Sequence, residues 1–171
     1  MKLGHILLAS ALFMGAANAS EFVNYKHLTK KLKAEAKKNG QIATVADVKH
    51  ALKAKDWAVV DIRTQLEWAG ASIKGSYRIG RQSPEKALES IVLDDEDNFI
   101  KDKIVVVCNS KSRASIASQT FRQMGFKEVK IHGIYTWIDK CNPVVTGYSK
   151  KKDKKGTKQK FGMFKASHCS K

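Results

Sequence analysis

The chain has 171 residues and carries 32 Lys or Arg against 16 Asp or Glu, which gives a formal net charge of +16 at pH 7. Behind an apolar amino-terminal stretch it has the length of one domain, with enough residues to bury a core. No later segment is apolar enough for a membrane span, and the basic runs lack the interleaved aromatic residues that nucleic-acid binding favours, so both of these classes are excluded.

Residues 1–19 have the pattern of a secretory signal peptide. Lys2 provides a basic start, an apolar run extends from Ile6 to Ala17, and Ala17-Asn18-Ala19 matches a small-x-small cleavage site. The run is short for a bilayer span, which needs about 20 apolar residues, and no cysteine follows it to accept a lipid. We therefore predict cleavage after Ala19 and a periplasmic mature chain without a stable membrane anchor; an uncleaved anchor is the alternative.

The rest of the chain alternates between short apolar runs and stretches with helical spacing. The predicted elements are a helical segment at 20–40, a strand at 41–43, a helix from 44, a strand at 57–62, a strand at 76–79, a helix from 83, a strand at 104–107, a helix at 113–124, a strand at 129–131 and a helix at 134–139. This alternation predicts an α/β domain over 41–149, with a mostly parallel five-stranded sheet covered by helices on both faces.

The carboxyl-terminal stretch 150–171 contains nine lysines and one aspartate, and its first half has almost no apolar residues. Such a segment cannot bury enough surface to offset the entropy of ordering it. We expect a mobile arm, at least in this first half, and its simplest role is solubility. The alternative is electrostatic attraction of Lys150–Lys160 to an acidic periplasmic partner.

Cys108 stands where the apolar strand Ile104–Val107 ends, and a short polar loop separates it from the next helix. The loop and the helix start contribute Asn109, Ser110, Lys111, Ser112 and Arg113. Two cations and a helix N-terminus near a sulfur favour the thiolate form, which is the reactive form of cysteine. A small buried hydrophobe at a strand end is the simpler alternative, but this loop is poor core material, so we favour a reactive thiol.

Four segments resemble, in order, the signatures of single-domain rhodaneses, which are sulfurtransferases. They cover 59–76 (Val-Val-Asp-Ile-Arg, then Glu-Trp and Gly-Ala-Ser-Ile-Lys-Gly-Ser), 104–113, 125–131 and 132–137 (His-Gly-Ile-Tyr-Thr-Trp). The resemblance spans about residues 42 to 145 and implies a rhodanese-like domain. The sequence departs from the family at Ser72, where histidine is usual, and in the Cys108 loop, which lacks the glycine frequent there.

The resemblance implies transfer of a sulfane sulfur from a small anionic donor such as thiosulfate to a thiol or cyanide acceptor, through a persulfide on Cys108. Backbone N–H groups of 109–113 would stabilise the sulfur, Lys111 and Arg113 would hold the donor, and no metal or organic cofactor is expected. One alternative is a sulfur-carrier or redox-partner docking module without turnover. The other, a cysteine phosphatase or arsenate reductase, is disfavoured because related phosphatases have five residues between cysteine and arginine, against four here.

Asp61 and Arg63 lie at the end of a strand, and we interpret them as an ion pair or a turn-stabilising pair that supports the site. Three cysteines in an exported chain leave one thiol either free or paired between chains, and Cys108 is the natural free one. Two roles stay open for the others: a Cys141–Cys169 disulfide that holds the tail on the domain, or a free Cys169 that resolves the persulfide.

Overall fold

The computed structural model describes residues 22–147, 152–153, 156–157 and 162–169. The predicted signal peptide and most of the Lys150–Lys160 run lie outside these described residues. In the part of the chain that is described, no helix combines the length and the apolar character that crossing a membrane requires.

Four parallel strands form the central sheet. They are β1 (Trp57–Asp61), β2 (Tyr77–Arg78), β3 (Lys103–Cys108) and β4 (Glu128–Gly133), and they lie in the order β2–β1–β3–β4. The register pairs Asp61 with Val107 and Cys108 with Gly133. The carboxyl ends of β1, β3 and β4 therefore meet at one edge of the sheet, which is where ligands bind in sheets of this type.

The sheet has four strands rather than the predicted five. Residues 41–43 make only a single bridge, in which Ile42 pairs with Ile131 at the β4 edge. One helix ends at Lys38 and the next begins at Val45. The caps Asn39 and Thr44 leave little chain between the helices, and the pairing of 41–43 with β4 does not extend beyond this bridge.

Helices cover both faces of this sheet. They are α1 (Tyr25–Lys38), α2 (Val45–Ala51), α3 (Gln65–Gly70), α4 (Pro84–Val92), α5 (Ser112–Gln123) and α6 (Ile134–Asp139). Buried residues of α1, α4 and α5 pack on one face, and those of α2 and α6 pack on the other. The predicted α/β architecture with helices on both faces is therefore confirmed.

The core follows the two-residue alternation of β1 and β3. Ala58 and Val106 belong to the cluster under α4 and α5, whereas Val59 and Val105 belong to the cluster under α2 and α6. Because both faces are covered, both sets are apolar, and the strands read as continuous hydrophobic runs. Cys108 continues the first set, so its side chain lies on the α4 and α5 face.

The carboxyl-terminal part of the chain returns to the domain. It contains β5 (Val144–Thr146), β6 (Lys152–Asp153), β7 (Gly156–Thr157), β8 (Gly162–Phe164) and a short 3₁₀ turn at Ser167–Cys169. β5 pairs antiparallel with β8, and β6 pairs with β7. Cys141 and Cys169 are joined in a disulfide, and Cys108 is free. Of the two roles left open for these cysteines, the structure adopts the disulfide that holds the end of the chain on the domain.

Candidate active site

The sulfur of Cys108 lies at the junction of β3 and α5. The side chain is 1% exposed, and the backbone N–H of Ala114 donates a hydrogen bond to Sγ at 3.4 Å. Lys111 has a φ of 72°, in the left-handed region, and this single residue turns the loop into the first turn of α5. The helix N-terminus, with its partial positive charge, is therefore directed at the sulfur.

Arg113 is engaged by Glu67 of α3 rather than free to meet a ligand. Its Nη1 and Nη2 donate to Glu67 Oε2 and Oε1 at 2.8 and 2.7 Å, a bidentate geometry. These hydrogen bonds hold the pKa of the Glu67 carboxyl well below its ordinary value, although partial burial opposes the shift and bonds from Thr64 add to it. The same pair raises the pKa of Arg113. The prediction that Arg113 holds an anionic donor does not fit this geometry, because a carboxylate already compensates its charge.

Asp61 and Arg63 form a buried ion pair at the end of β1. Arg63 Nη2 lies 2.7 Å from Asp61 Oδ2, and the two side chains are 3% and 0% exposed. The guanidinium also donates to the backbone carbonyls of Glu67, within α3, and of Ala71, which follows it. The ion pair that the sequence suggested is therefore present, and its guanidinium fixes the helix that carries Glu67.

Asn109 connects the two arginine pairs. Its Nδ2 donates to Glu67 Oε1 at 2.7 Å, and its Oδ1 accepts from Arg63 Nη1 at 3.5 Å. The side chain next to the cysteine thus faces the Asp61–Arg63–Glu67–Arg113 network. We call these four residues and Asn109 the arginine network.

Lys111 contributes the remaining positive charge of the loop. Its Nζ donates to the neutral hydroxyl of Thr136 on α6 at 3.2 Å, and no ion pair joins it to a carboxylate among the described residues. Gly133 leaves room for this contact, since a Cβ there would lie 3.0 Å from the Asn109 carbonyl oxygen and 3.4 Å from Lys111 Nζ. The ammonium of Lys111 is therefore held near the site with its charge uncompensated.

The two serines lie on the open side of the loop. Ser110 is exposed, and its Oγ lies 3.5 Å from the Oγ of Ser112, the first residue of α5. The predicted loop residues thus separate into three groups. Asn109 and Arg113 build the network, Lys111 supplies a charge without a carboxylate partner among the described residues, and Ser110 and Ser112 contact each other.

His132 is a neutral core residue behind Lys111. Its Nδ1 lies 2.8 Å from the carbonyl oxygen of Ala43, so the ring proton belongs on Nδ1. Burial lowers the pKa of His132, the Ala43 carbonyl opposes this, and the nearby charge of Lys111 lowers it further. The ring packs edge-on against Trp137. The contacts of His132 are therefore those of a core residue.

Sequence reasoning missed three contributors: Glu67, Gly133 and Thr136. Glu67 had one local signal, because it occupies the third helical position of a capping box that starts at Thr64. Its pairing with Arg113 spans 46 positions and has no local signal. The contacts of Gly133 and Thr136 with the loop likewise depend on how α6 follows β4.

A rhodanese-like domain model matches residues 44–140. A solved structure titled as a 30 kDa polysulfide-sulfur transferase homodimer from Wolinella succinogenes is similar, with a TM-score of 0.53 and 25% identity over 70% of this chain and 87% of that chain. The BH2092 protein of Bacillus halodurans has a TM-score of 0.51 and 21% identity over 68% of this chain and 85% of that one, which supports the fold alone.

A third similar structure is a protein of unknown function from Rhodopseudomonas palustris, described as a possible tyrosine phosphatase. It has a TM-score of 0.48 and 24% identity over 73% of this chain and 96% of that one. No curated protein matches the chain significantly. Because the matching domain model covers more than half of the sequence, from the start of α2 through the Cys108 loop to the end of α6, the chain belongs to the rhodanese-like family.

Proposed function

We propose that this protein is a sulfurtransferase that carries a sulfane sulfur as a persulfide on Cys108, taking it from a small anionic donor such as thiosulfate. The observation that carries the proposal is the free thiol of Cys108, which receives the Ala114 N–H at the N-terminus of α5. Membership of the rhodanese-like family and the similarity to a polysulfide-sulfur transferase support sulfur transfer as the reaction class.

The reaction is a double displacement. The Cys108 thiolate attacks the outer sulfur of thiosulfate, a new S–S bond forms, and the S–S bond of the donor breaks as sulfite leaves with the electron pair. A thiolate or cyanide then attacks the outer sulfur of the persulfide. The Cys108 thiolate is regenerated, and the acceptor leaves as a persulfide or as thiocyanate.

The protein stabilises negative charge on sulfur in both steps. The Ala114 N–H and the α5 N-terminus lie at Sγ. This sulfur loses its negative charge when the persulfide forms and regains it when the thiolate is released. Lys111 is the cation that attracts the donor, because Glu67 compensates Arg113 and Asp61 compensates Arg63. The ammonium is anchored by Thr136 rather than by a carboxylate, so its charge remains available to an anion.

A second candidate is a sulfur carrier or docking module that loads one sulfur and does not turn over. The observation in its favour is the near-complete burial of Cys108, which is 1% exposed and restricts the approach of a large acceptor. The two functions differ in one measurable property. An enzyme releases many equivalents of product, whereas a carrier is loaded once per chain.

Intact-mass analysis after incubation with thiosulfate tests the proposal, with Cys108→Ser as the matched variant. We expect the parent to gain the mass of one sulfur, to lose it on addition of cyanide with release of thiocyanate, and to repeat the cycle. Cys108→Ser should gain nothing. Equal loading of both proteins would contradict the mechanism, and loading without repeated thiocyanate release would favour the carrier.

Replacement of Lys111, the loop cation without a carboxylate partner among the described residues, should weaken donor binding more than it slows the chemical step. We expect Lys111→Ala to raise the KM for thiosulfate by about tenfold with a smaller change in kcat, since a hydrogen bond to a charged group contributes about 1.5–3 kcal/mol. Steady-state thiocyanate formation measures both constants. Lys49→Ala, at an exposed position on α2, is the control. An equal rise in KM for both variants would point to general electrostatic attraction.

Lys111→Gly separates the backbone role of this residue from its charge. A left-handed φ is unfavourable for side chains with a Cβ by about 1–2 kcal/mol, and glycine adopts it freely. We therefore expect Lys111→Gly to unfold in urea with a higher free energy than Lys111→Ala by about 1 kcal/mol, while both lose the same donor affinity. Equal stability of the two variants would mean that the loop relaxes to another conformation.

Glu67→Gln removes the carboxylate that compensates Arg113. We expect the free energy of unfolding at pH 7 to fall by about 1–2 kcal/mol, because charged hydrogen bonds are replaced by neutral ones. The folded-state pKa of Glu67 is lowered, so its contribution is present above its ordinary value of 4.5 and is lost as the pH falls below it. The difference in free energy of unfolding between the parent and Glu67→Gln, measured by urea unfolding, should therefore become smaller at acid pH.

Glu35→Gln provides the control for this experiment. Glu35 makes an exposed contact with Lys31 on α1 at 4.0 Å, so its replacement should change stability little at any pH. If the loss of unfolding free energy in Glu67→Gln is the same at neutral and at acid pH, the charge-compensation role of this carboxylate is contradicted.

A further inference from the structure

Three metal-ligating side chains meet where the carboxyl-terminal segment joins the domain. The Sγ atoms of Cys141 and Cys169 and an imidazole nitrogen of His168 all lie within 4.8 Å of one another. Both cysteines are half-buried and His168 is exposed, so a small reagent in solution can reach the cluster. None of the three residues belongs to the Cys108 loop or to the arginine network.

A local backbone hydrogen bond fixes each side of this cluster, and strand pairing joins the two sides in addition to the disulfide. On the domain side, the N–H of Cys141 donates to Ile138 at the end of α6. On the other side, the N–H of Cys169 donates to the carbonyl of Ala166, the residue before the turn Ser167–Cys169. The antiparallel pairing of β5 with β8 connects the two sides a few residues away. The thiols should therefore remain neighbours when the disulfide opens.

We propose that reduction of the Cys141–Cys169 disulfide creates a binding site for a thiophilic divalent cation, with Zn²⁺ as the fitting ion and Cys141, Cys169 and His168 as its ligands. A dithiol reductant supplies two electrons, the S–S bond breaks, and the reductant leaves as its own disulfide. The ion then displaces the thiol protons to solvent and binds two thiolates and one imidazole nitrogen.

The geometry and the ligand set suit this ion. Zn²⁺ binds thiolate sulfur at about 2.3 Å and imidazole nitrogen at about 2.0–2.1 Å in a tetrahedral arrangement, so its ligand atoms are neighbours at less than the 4.8 Å that encloses this cluster. Three protein ligands leave the fourth position for water. The spacing escaped sequence reasoning, which predicted no metal site, because Cys141 lies 28 positions before Cys169.

The site is tested in the Cys108→Ser background, which removes the remaining thiol. The protein is reduced, and the reductant is removed in the absence of air. It is first titrated with Co²⁺, whose thiolate charge-transfer and d–d absorption bands report a tetrahedral site with sulfur ligands. A second titration uses Zn²⁺ in competition with a chromophoric chelator. We expect one equivalent bound to the reduced chain and none to the oxidised chain. Loss of a residue that only supports a metal ligand lowers metal affinity about tenfold or more, so His168→Ala should lower the Zn²⁺ affinity by at least that factor. His27→Ala, which replaces an exposed histidine on α1, should leave the affinity unchanged.

Three results would overturn the proposal. They are equal Zn²⁺ binding by the oxidised and reduced chains, unchanged affinity in His168→Ala, and failure of the reduced chain to bind Co²⁺ or Zn²⁺. Amide hydrogen exchange at Phe164, which pairs with Val144 where β8 meets β5, tests the underlying geometry in the reduced, metal-free protein. Retained protection there supports a preformed site, and its loss would show that the disulfide alone holds the segment.

Discussion

Charge compensation around the sulfur is the constraint on which the site depends. Three cations, Arg63, Lys111 and Arg113, converge on the edge where β1 and β3 end, and a buried guanidinium without a partner is strongly destabilising. Asp61 and Glu67 compensate the two arginines, each through a short ion pair. The arginines can therefore serve as rigid parts of the framework. Of the three, only Lys111 has no carboxylate partner among the described residues, so the loop has one uncompensated cation rather than two.

The loop reaches this arrangement without a glycine of its own. Lys111 takes the left-handed conformation that glycine adopts more readily, and it does so at the residue that directs α5 toward the sulfur. The close approach that the loop needs is provided elsewhere, by Gly133 at the end of β4. A side chain at that position would contact the Asn109 carbonyl oxygen and Lys111. The glycine required by the packing of this site is therefore on the neighbouring strand.

The sequence predicted the fold and the position of the thiol, because both have local signals. Apolar runs that end in polar loops locate β1 and β3, and the helical spacing after Arg113 locates α5. The partners within the arginine network have no such signal, since Glu67 and Arg113 meet across 46 positions. Assigning donor binding to Arg113 followed from its charge alone, and only the tertiary contact reassigns it. The fifth strand was overpredicted because apolar character at 41–43 does not reveal how little chain lies between α1 and α2.

The helix that carries Glu67 shows how much of the site is held by hydrogen bonds rather than by apolar burial. α3 has six residues, and none of them is buried. Arg63 donates to the carbonyls of Glu67 and Ala71, and the Thr64 capping box fixes the first turn. Beyond the helix, Ser72 and Val145 exchange backbone hydrogen bonds at 2.9 and 2.8 Å, and the Gly147 N–H donates to Ala69 at 2.7 Å. The segment that follows Cys141 therefore supports the last turn of α3. The orientation of Glu67, and through it of Arg113 and Asn109, depends on chain that lies beyond the residues that match the family.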